Sequence, residues 1–264
     1  MTSAPSLPDR LLAGYFREGL RGFRTLMKLA GKNSLQARTR YGARFALRPD
    51  EYIDAIVLRE GYYEPEVIEA LRPYLRPEAV FWDIGANLGL HAVSAAQLAT
   101  GARVLAFEPA PATFARLQAH VRLNHVDVDL HPFALGERDG EVTLHVNTSG
   151  NAGMSSIVHP GAGTGTSVRL VRADTAIATG LCPAPTVMKL DVEGAEAAVL
   201  AGFGRRLASP ALEAVVYETS ADLLDEPSRC PATRLLLAAG FQLRALPRAA
   251  SSTHLLANFL AFRR

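Results

Sequence analysis

The chain is poor in several things, and each shortage excludes something. Its two cysteines, Cys182 and Cys230, lie far apart with no CxxC or Cys/His spacing. Neither a disulfide framework nor a structural zinc site is expected, and a reducing cytoplasm is the default compartment. Lysine occurs three times against 25 arginines, so Lys189 is the one lysine beyond Lys32. No uninterrupted apolar run approaches the roughly 18 residues of a membrane-spanning helix. A secretory signal is not expected either, because Pro5, Pro8 and scattered arginines interrupt the apolar residues near the start. Net charge is also scarce, at +2. That total conceals a division: residues 1–48 carry +8 and residues 49–264 carry −6. What is present in quantity is apolar side chains, 48% of the 264 residues. This suits one large domain with an appendage and excludes a disordered chain.

The expected organisation is a basic helical extension with a short strand over 1–48, followed by one domain over 49–264. In residues 9–31, Leu12, Phe16, Leu20, Phe23, Met27 and Ala30 recur at helical spacing, and Arg17, Arg21, Arg24 and Lys28 form a basic stripe beside them. Two readings stand: a helix docked on the body, or an interfacial helix peripheral to the inner face of an anionic membrane or a carrier lipid.

From Val80 the chain alternates strand and helix. Strands are expected at Val80–Ile84, Arg103–Phe107 and Val126–Phe133, with helices at Leu90–Leu98 and Pro111–Asn124, the order of a doubly wound parallel sheet. Glu141–Val146 and Val168–Val171 alternate at period two and predict an inserted β-hairpin. Between them lies a long Gly/Ser/Thr-rich loop, a candidate lid carrying Ser155, Ser156 and His159. Val187–Leu190 and Leu212–Tyr217 continue the sheet, and Phe241–Leu246 with Leu255–Phe262 reads as an antiparallel edge pair.

Two motifs carry chemistry. Asp83-Ile-Gly85-Ala-Asn87-Leu-Gly89 ends the first strand, with glycines where a ligand must approach the backbone. It lacks the GxGxxG spacing of a pyrophosphate turn, and Asp83 would repel a diphosphate. Glu108 ends the next strand, where a carboxylate can accept hydrogen bonds from both ribose hydroxyls. A cationic nucleoside without phosphate fits, and S-adenosyl-L-methionine is such a molecule. The second motif is Lys189-Leu-Asp191-Val-Glu193-Gly194, which places Lys189 and Asp191 on one strand face beside the same cleft. Asp191 is the first candidate base and Glu193 the second; Lys189 would fix Asp191, and His91 would orient the cofactor or act as base. Glu218, Ser155, Ser156 and His159 are candidate acceptor-binding residues. No metal ligand set is assigned, although a metal-assisted variant stays open in which Asp191, Glu193 and Glu218 hold Mg²⁺ and lower the pKa of an acceptor diol.

The segments DIGANLG, AFEPAPATFARLQAHVRLN, KLDVEGAEAAVLAGF and VYETS, in that order, resemble the FkbM family of SAM-dependent methyltransferases, and NAGMSS at 151–156 is similar to that family's loop. The resemblance implies a class I methyltransferase (Rossmann-like) fold, with a seven-stranded sheet and a reversed last strand. It implies O-methylation of a hydroxyl on a sugar, glycan, glycolipid or polyketide-type natural product. It further implies that Asp83, Gly85, Asn87 and Gly89 line the methionine part of the cofactor, that Glu108 holds the ribose, and that Asp191 and Glu193 face the acceptor. Where many class I enzymes carry an acid for adenine, this chain has Phe133-Ala134-Leu135, so backbone contacts near Ala134 are expected instead. The alternatives are an NAD-dependent oxidoreductase on a similar sheet and a non-catalytic SAM-binding scaffold. A nucleic-acid partner is not expected, and the oligomeric state is not legible.

Overall fold

The computed structural model describes residues 29–145, 165–247 and 256–263, together with Asp9, Leu12, Ala13, Thr25 and Met27. A hairpin of β1 (Leu35–Arg38) and β2 (Arg44–Leu47) leads into α1 (Tyr52–Glu60) and α2 (Pro65–Leu71). Then come β3 (Val80–Ile84), α3 (Leu90–Leu98), β4 (Arg103–Phe107), α4 (Pro111–Asn124) and β5 (Asp129–His131). Three strands follow: β6 (Ala134–Gly136), β7 (Gly140–His145) and β8 (Gly165–Arg172). The chain ends with α5 (Ala173–Ala178), β9 (Val187–Leu190), α6 (Glu196–Gly202), β10 (Ala214–Ser220), α7 (Pro231–Ala238), β11 (Gln242–Ala245) and β12 (Leu256–Phe262).

Seven strands form the main sheet in the order β11-β12-β10-β9-β3-β4-β5. Its central strands are parallel, and β12 runs antiparallel to both β10 and β11. This is the expected α/β class: a doubly wound seven-stranded sheet with a reversed last strand. The apolar pattern of the strands explains the layering. Phe81, Val104, Val187 and Val216 face a core built with α1, α2, α3, α4 and the β1–β2 hairpin. Trp82, Leu105, Met188 and Tyr217, one residue along each strand, face a second core with α5, α6 and α7. Burying each large side chain contributes about 1.5–3 kcal/mol, so helices on both faces are held by the sheet's own alternation.

The antiparallel pair at one edge of the sheet forms as expected, with β11 outermost and β12 between it and β10. The apolar residues of β12 are buried because they have neighbours on both sides. Other elements differ from expectation. The third strand is three residues long instead of spanning 126–133. Pro132 follows it, lacks an N–H for the ladder, and turns the chain into β6. The hairpin β7–β8 does form, but β6 joins it as a parallel third strand in a separate sheet. Strand β1 was not expected at all. In the N-terminal segment Leu12, Ala13 and Met27 are buried in the first core, and Lys32 pairs with Asp9 at 2.7 Å. The basic stripe Arg17, Arg21, Arg24 and Lys28 lies outside the described residues.

Candidate active site

Strand register gathers a polar row at the carboxyl edge of the sheet. Asp83 is paired with Lys189 across β3 and β9. Glu218 is paired with Asn258 across β10 and β12. Each stands two residues from a core position on the same face, so all four continue the face of Phe81, Val187, Val216 and Leu260. The Lys189 ammonium is the hub: it donates to Asp191 Oδ2 at 3.1 Å and pairs with Asp83 Oδ1 at 3.7 Å. Burial alone would lower its pKa, but the carboxylates of Asp191, Asp83 and Glu64 outweigh that and hold it above the ordinary range. Lys189 is therefore a charged clamp. The Asp191 side chain keeps 27% of its surface exposed, whereas Asp83 has none. Of the two carboxylates on Lys189, Asp191 is the one open to solvent.

The glycine turn joins this row to the next strand. Gly85 has φ +78°, and a Cβ there would lie 1.8 Å from the Asp191 carbonyl oxygen. Only glycine lets β3 and the end of β9 approach so closely. Gly89 has φ +91° and faces Leu117 of α4, and Asn87 between them is also left-handed at φ 50°. The Gly85 and Ala86 amides both donate to the Phe107 carbonyl, which ties the turn to β4. Beyond β4, Glu108 accepts from the Asn87 amide at 3.0 Å and the Ala110 amide at 2.8 Å. Burial nonetheless pushes its carboxyl up to about 7, against the pull of those two amides. Each oxygen retains a second acceptor direction, so Glu108 can still bind hydroxyls.

Glu193, at φ 53°, lies in the turn after β9; burial and then Asp191 push it up to about 7. Glu196, unremarked in the sequence, shapes that turn by accepting from the Val192 and Gly194 amides at 3.1 and 3.2 Å. Burial raises Glu218 strongly, with Asp191, Glu64 and Glu193 adding to it. His91, second residue of α3, is 5% exposed, and burial with the nearby Lys189 charge depresses its pKa well below the ordinary value. It is thus a neutral ring packed edge-on against Tyr62. Ala134 opens β6 in register with Leu170 and is buried, so its backbone belongs to a strand pair instead of an open turn. Ser155, Ser156 and His159 lie outside the described residues. Among the described residues, no three of His, Cys, Asp and Glu stand close enough together to hold a metal ion.

Two members of the site were missed in the sequence, Glu64 and Asn258. Asn258 Nδ2 donates to Glu64 Oε1 at 3.1 Å, and Glu64 acts on both Lys189 and Asp191. The available signal was Glu64-Pro65, an acid immediately before a proline that starts a helix. Asn258 stood in an apolar run and gave no signal.

Among known proteins, the Methyltransferase FkbM domain matches residues 83–243. The chain is similar to the hexuronic acid methyltransferase AglP of Haloferax volcanii, 32% identical over 64% of this chain and 67% of that protein. It is 31% identical to the 31-O-demethyl-FK506 methyltransferase FkbM of Streptomyces tacrolimicus, over 48% of this chain and 60% of that one. A solved structure of methyltransferase FkbM from Methylobacillus flagellatus superimposes with a TM-score of 0.48 at 17% identity, covering 97% of this chain and 58% of that one. By the match of more than half its length, the chain belongs to the FkbM family of methyltransferases.

Proposed function

We propose that this chain is an S-adenosylmethionine-dependent O-methyltransferase acting on a hydroxyl of a sugar, glycan, glycolipid or polyketide-type product. The observation that carries the reading is the Asp191–Lys189 pair, one half-exposed carboxylate on a buried ammonium, pressed against the glycine turn through Gly85. The residues present fit the cofactor. Asp83 has neither oxygen in a hydrogen bond although it is fully buried, Glu108 has acceptor directions to spare, and the Gly85 cradle would be filled by any Cβ. Gly85, Asn87 and Gly89 would line its methionine part and Glu108 would hold its ribose. Bound there, S-adenosylmethionine supplies an electrophilic methyl group on a cationic sulfur.

The remaining chemistry falls to this chain's residues. A sugar hydroxyl is barely acidic, so a base is needed as its oxygen is methylated. Asp191 takes that proton onto its carboxylate. Lys189 holds Asp191 in place and, being fixed as an ammonium, does not compete for the proton. Holding the acceptor oxygen in line with the methyl carbon contributes the larger share of the rate. Glu218 and Glu193 face the acceptor side and can bind its other hydroxyls. Hexuronic acid and FK506 methyltransferases among the relatives support an oxygen acceptor. The test is Asp191→Asn with methyl-labelled cofactor and a panel of glycosides and macrolides. Label transfer should fall by 100-fold or more while the cofactor still binds; undiminished transfer would remove Asp191 from this role.

A further inference from the structure

Glu64 lies outside the 83–243 segment that defines the family and has no role in the function proposed above. Its backbone is left-handed, at φ 52° and ψ 59°, which a non-glycine residue adopts only when its surroundings enforce it. Three neighbours do so. Pro65 follows and starts α2, the ring of His91 lies against the Glu64 backbone, and Asn258 holds the carboxylate at 3.1 Å. Tyr62, two residues earlier, anchors the same segment by donating to the Leu90 carbonyl at 3.1 Å. The segment is thus fastened to the first turn of α3, directly after the glycine turn, and its carboxylate is brought to the polar row.

The charge balance there is uneven. Asp191 acts on Glu64, Asp83, Glu193 and Glu218, Glu64 and Glu193 act on Glu218, and Lys189 is the cation that acts on all four. Two buried groups are moreover short of hydrogen bonds: the His91 Nε2, in a side chain 5% exposed, and the Asp83 carboxylate, 0% exposed, whose ion pair with Lys189 is long at 3.7 Å. Buried polar atoms without partners mark a place completed by another molecule. An excess of carboxylate beside them calls for a cation with N–H donors.

We propose that Glu64 is a further cofactor-binding residue, receiving the α-ammonium at the amino-acid end of S-adenosylmethionine. This rests on the cofactor reading above and extends it. Glu108 lies just beyond β4 and Glu64 reaches the row from the opposite side of β3, through Asn258 of β12, so the two acids take opposite ends of one molecule. Asn258 is the residue that orients Glu64 for the task.

Calorimetric titration with S-adenosylhomocysteine and with 5′-methylthioadenosine tests it. Both carry adenosine and an uncharged sulfur, and only the first has the amino acid. Glu64→Gln should weaken S-adenosylhomocysteine about 10- to 100-fold, as expected for a lost charge-assisted bond, and leave 5′-methylthioadenosine unchanged. Asn258→Leu, which keeps Glu64 but unties it, should give a smaller loss with the same selectivity, and it serves if Glu64→Gln does not fold. Equal weakening of both ligands, or unaltered binding of S-adenosylhomocysteine, would overturn the proposal. Wild-type protein that binds neither ligand would instead overturn the cofactor reading, and this proposal with it.

Discussion

Replacing Gly85 by alanine tests the junction on which the site depends. The new Cβ would lie 1.8 Å from the Asp191 carbonyl oxygen, and real Cβ contacts essentially never fall below 3.0 Å. The contact is with backbone, so no side-chain rotation relieves it. The glycine turn and the end of β9 must separate by more than an ångström. Alanine at φ +78° adds left-handed strain of about 1 kcal/mol. Separation also stretches the bond from the Asp191 amide to the Ile84 carbonyl, now 3.1 Å, which contributes about 1 kcal/mol. With the steric displacement, the loss should be about 3 kcal/mol, a fall in Tm of roughly 6–12 °C for a domain of this size. Affinity for S-adenosylhomocysteine should fall at least 100-fold. Gly89→Ala is the comparison: its Cβ would meet Leu117 Cδ1 at 2.5 Å, the end of a flexible side chain that can move. It should be milder in both assays. The reasoning fails if Gly85→Ala melts within a degree of wild type and binds S-adenosylhomocysteine normally.

The raised carboxyls give a pH dependence with a definite sign. Glu108 rises from 4.5 to about 7 on folding, so its folded form keeps a proton that the unfolded form has released. Its contribution to stability is complete below the unfolded value and is lost as pH rises through about 7, on the order of 3 kcal/mol. Melting of the ligand-free protein should therefore fall between pH 5 and pH 8 by more in wild type than in Glu108→Gln; parallel curves would contradict this. Asp54 is buried and accepts from the Arg48 amide and from Arg116. Asp54→Ala strands the Arg116 guanidinium and should cost about 3 kcal/mol in urea unfolding, and a loss below 1 kcal/mol would count against it. Gly202→Ala would place a Cβ 2.0 Å from the Gly136 carbonyl and wedge α6 away from β6. It should lower Tm without selectively weakening the cofactor, and selective loss of binding would show that the second core reaches the site.

Much of this was legible because it is local. The strands of β3, β4 and β9 and the helices α3 and α4 have boundaries set by apolar runs and by Pro111, and the glycine turn is read from its spacing. Lys189 and Asp191 were readable as face-sharing neighbours on one strand. What was not legible depends on register between distant segments. Asp83 meets Lys189 only because β3 pairs with β9, and Glu64 joins them only because β12 brings Asn258 beside β10. The position of β12 itself follows from a crossover that no single segment encodes. Pro132 was visible, but its consequence, a three-residue β5 and a separate β6, required the partner strand β8.

The central claim is that the carboxyl edge of the sheet, from Glu108 to the Lys189 row, accepts a cationic nucleoside without a diphosphate. Parallel calorimetric titrations of the wild-type protein with S-adenosylmethionine and NAD⁺ test it most directly. The account predicts saturable, one-to-one binding of S-adenosylmethionine that Glu108→Ala weakens, and no binding of NAD⁺. Tight NAD⁺ binding without S-adenosylmethionine binding would contradict it.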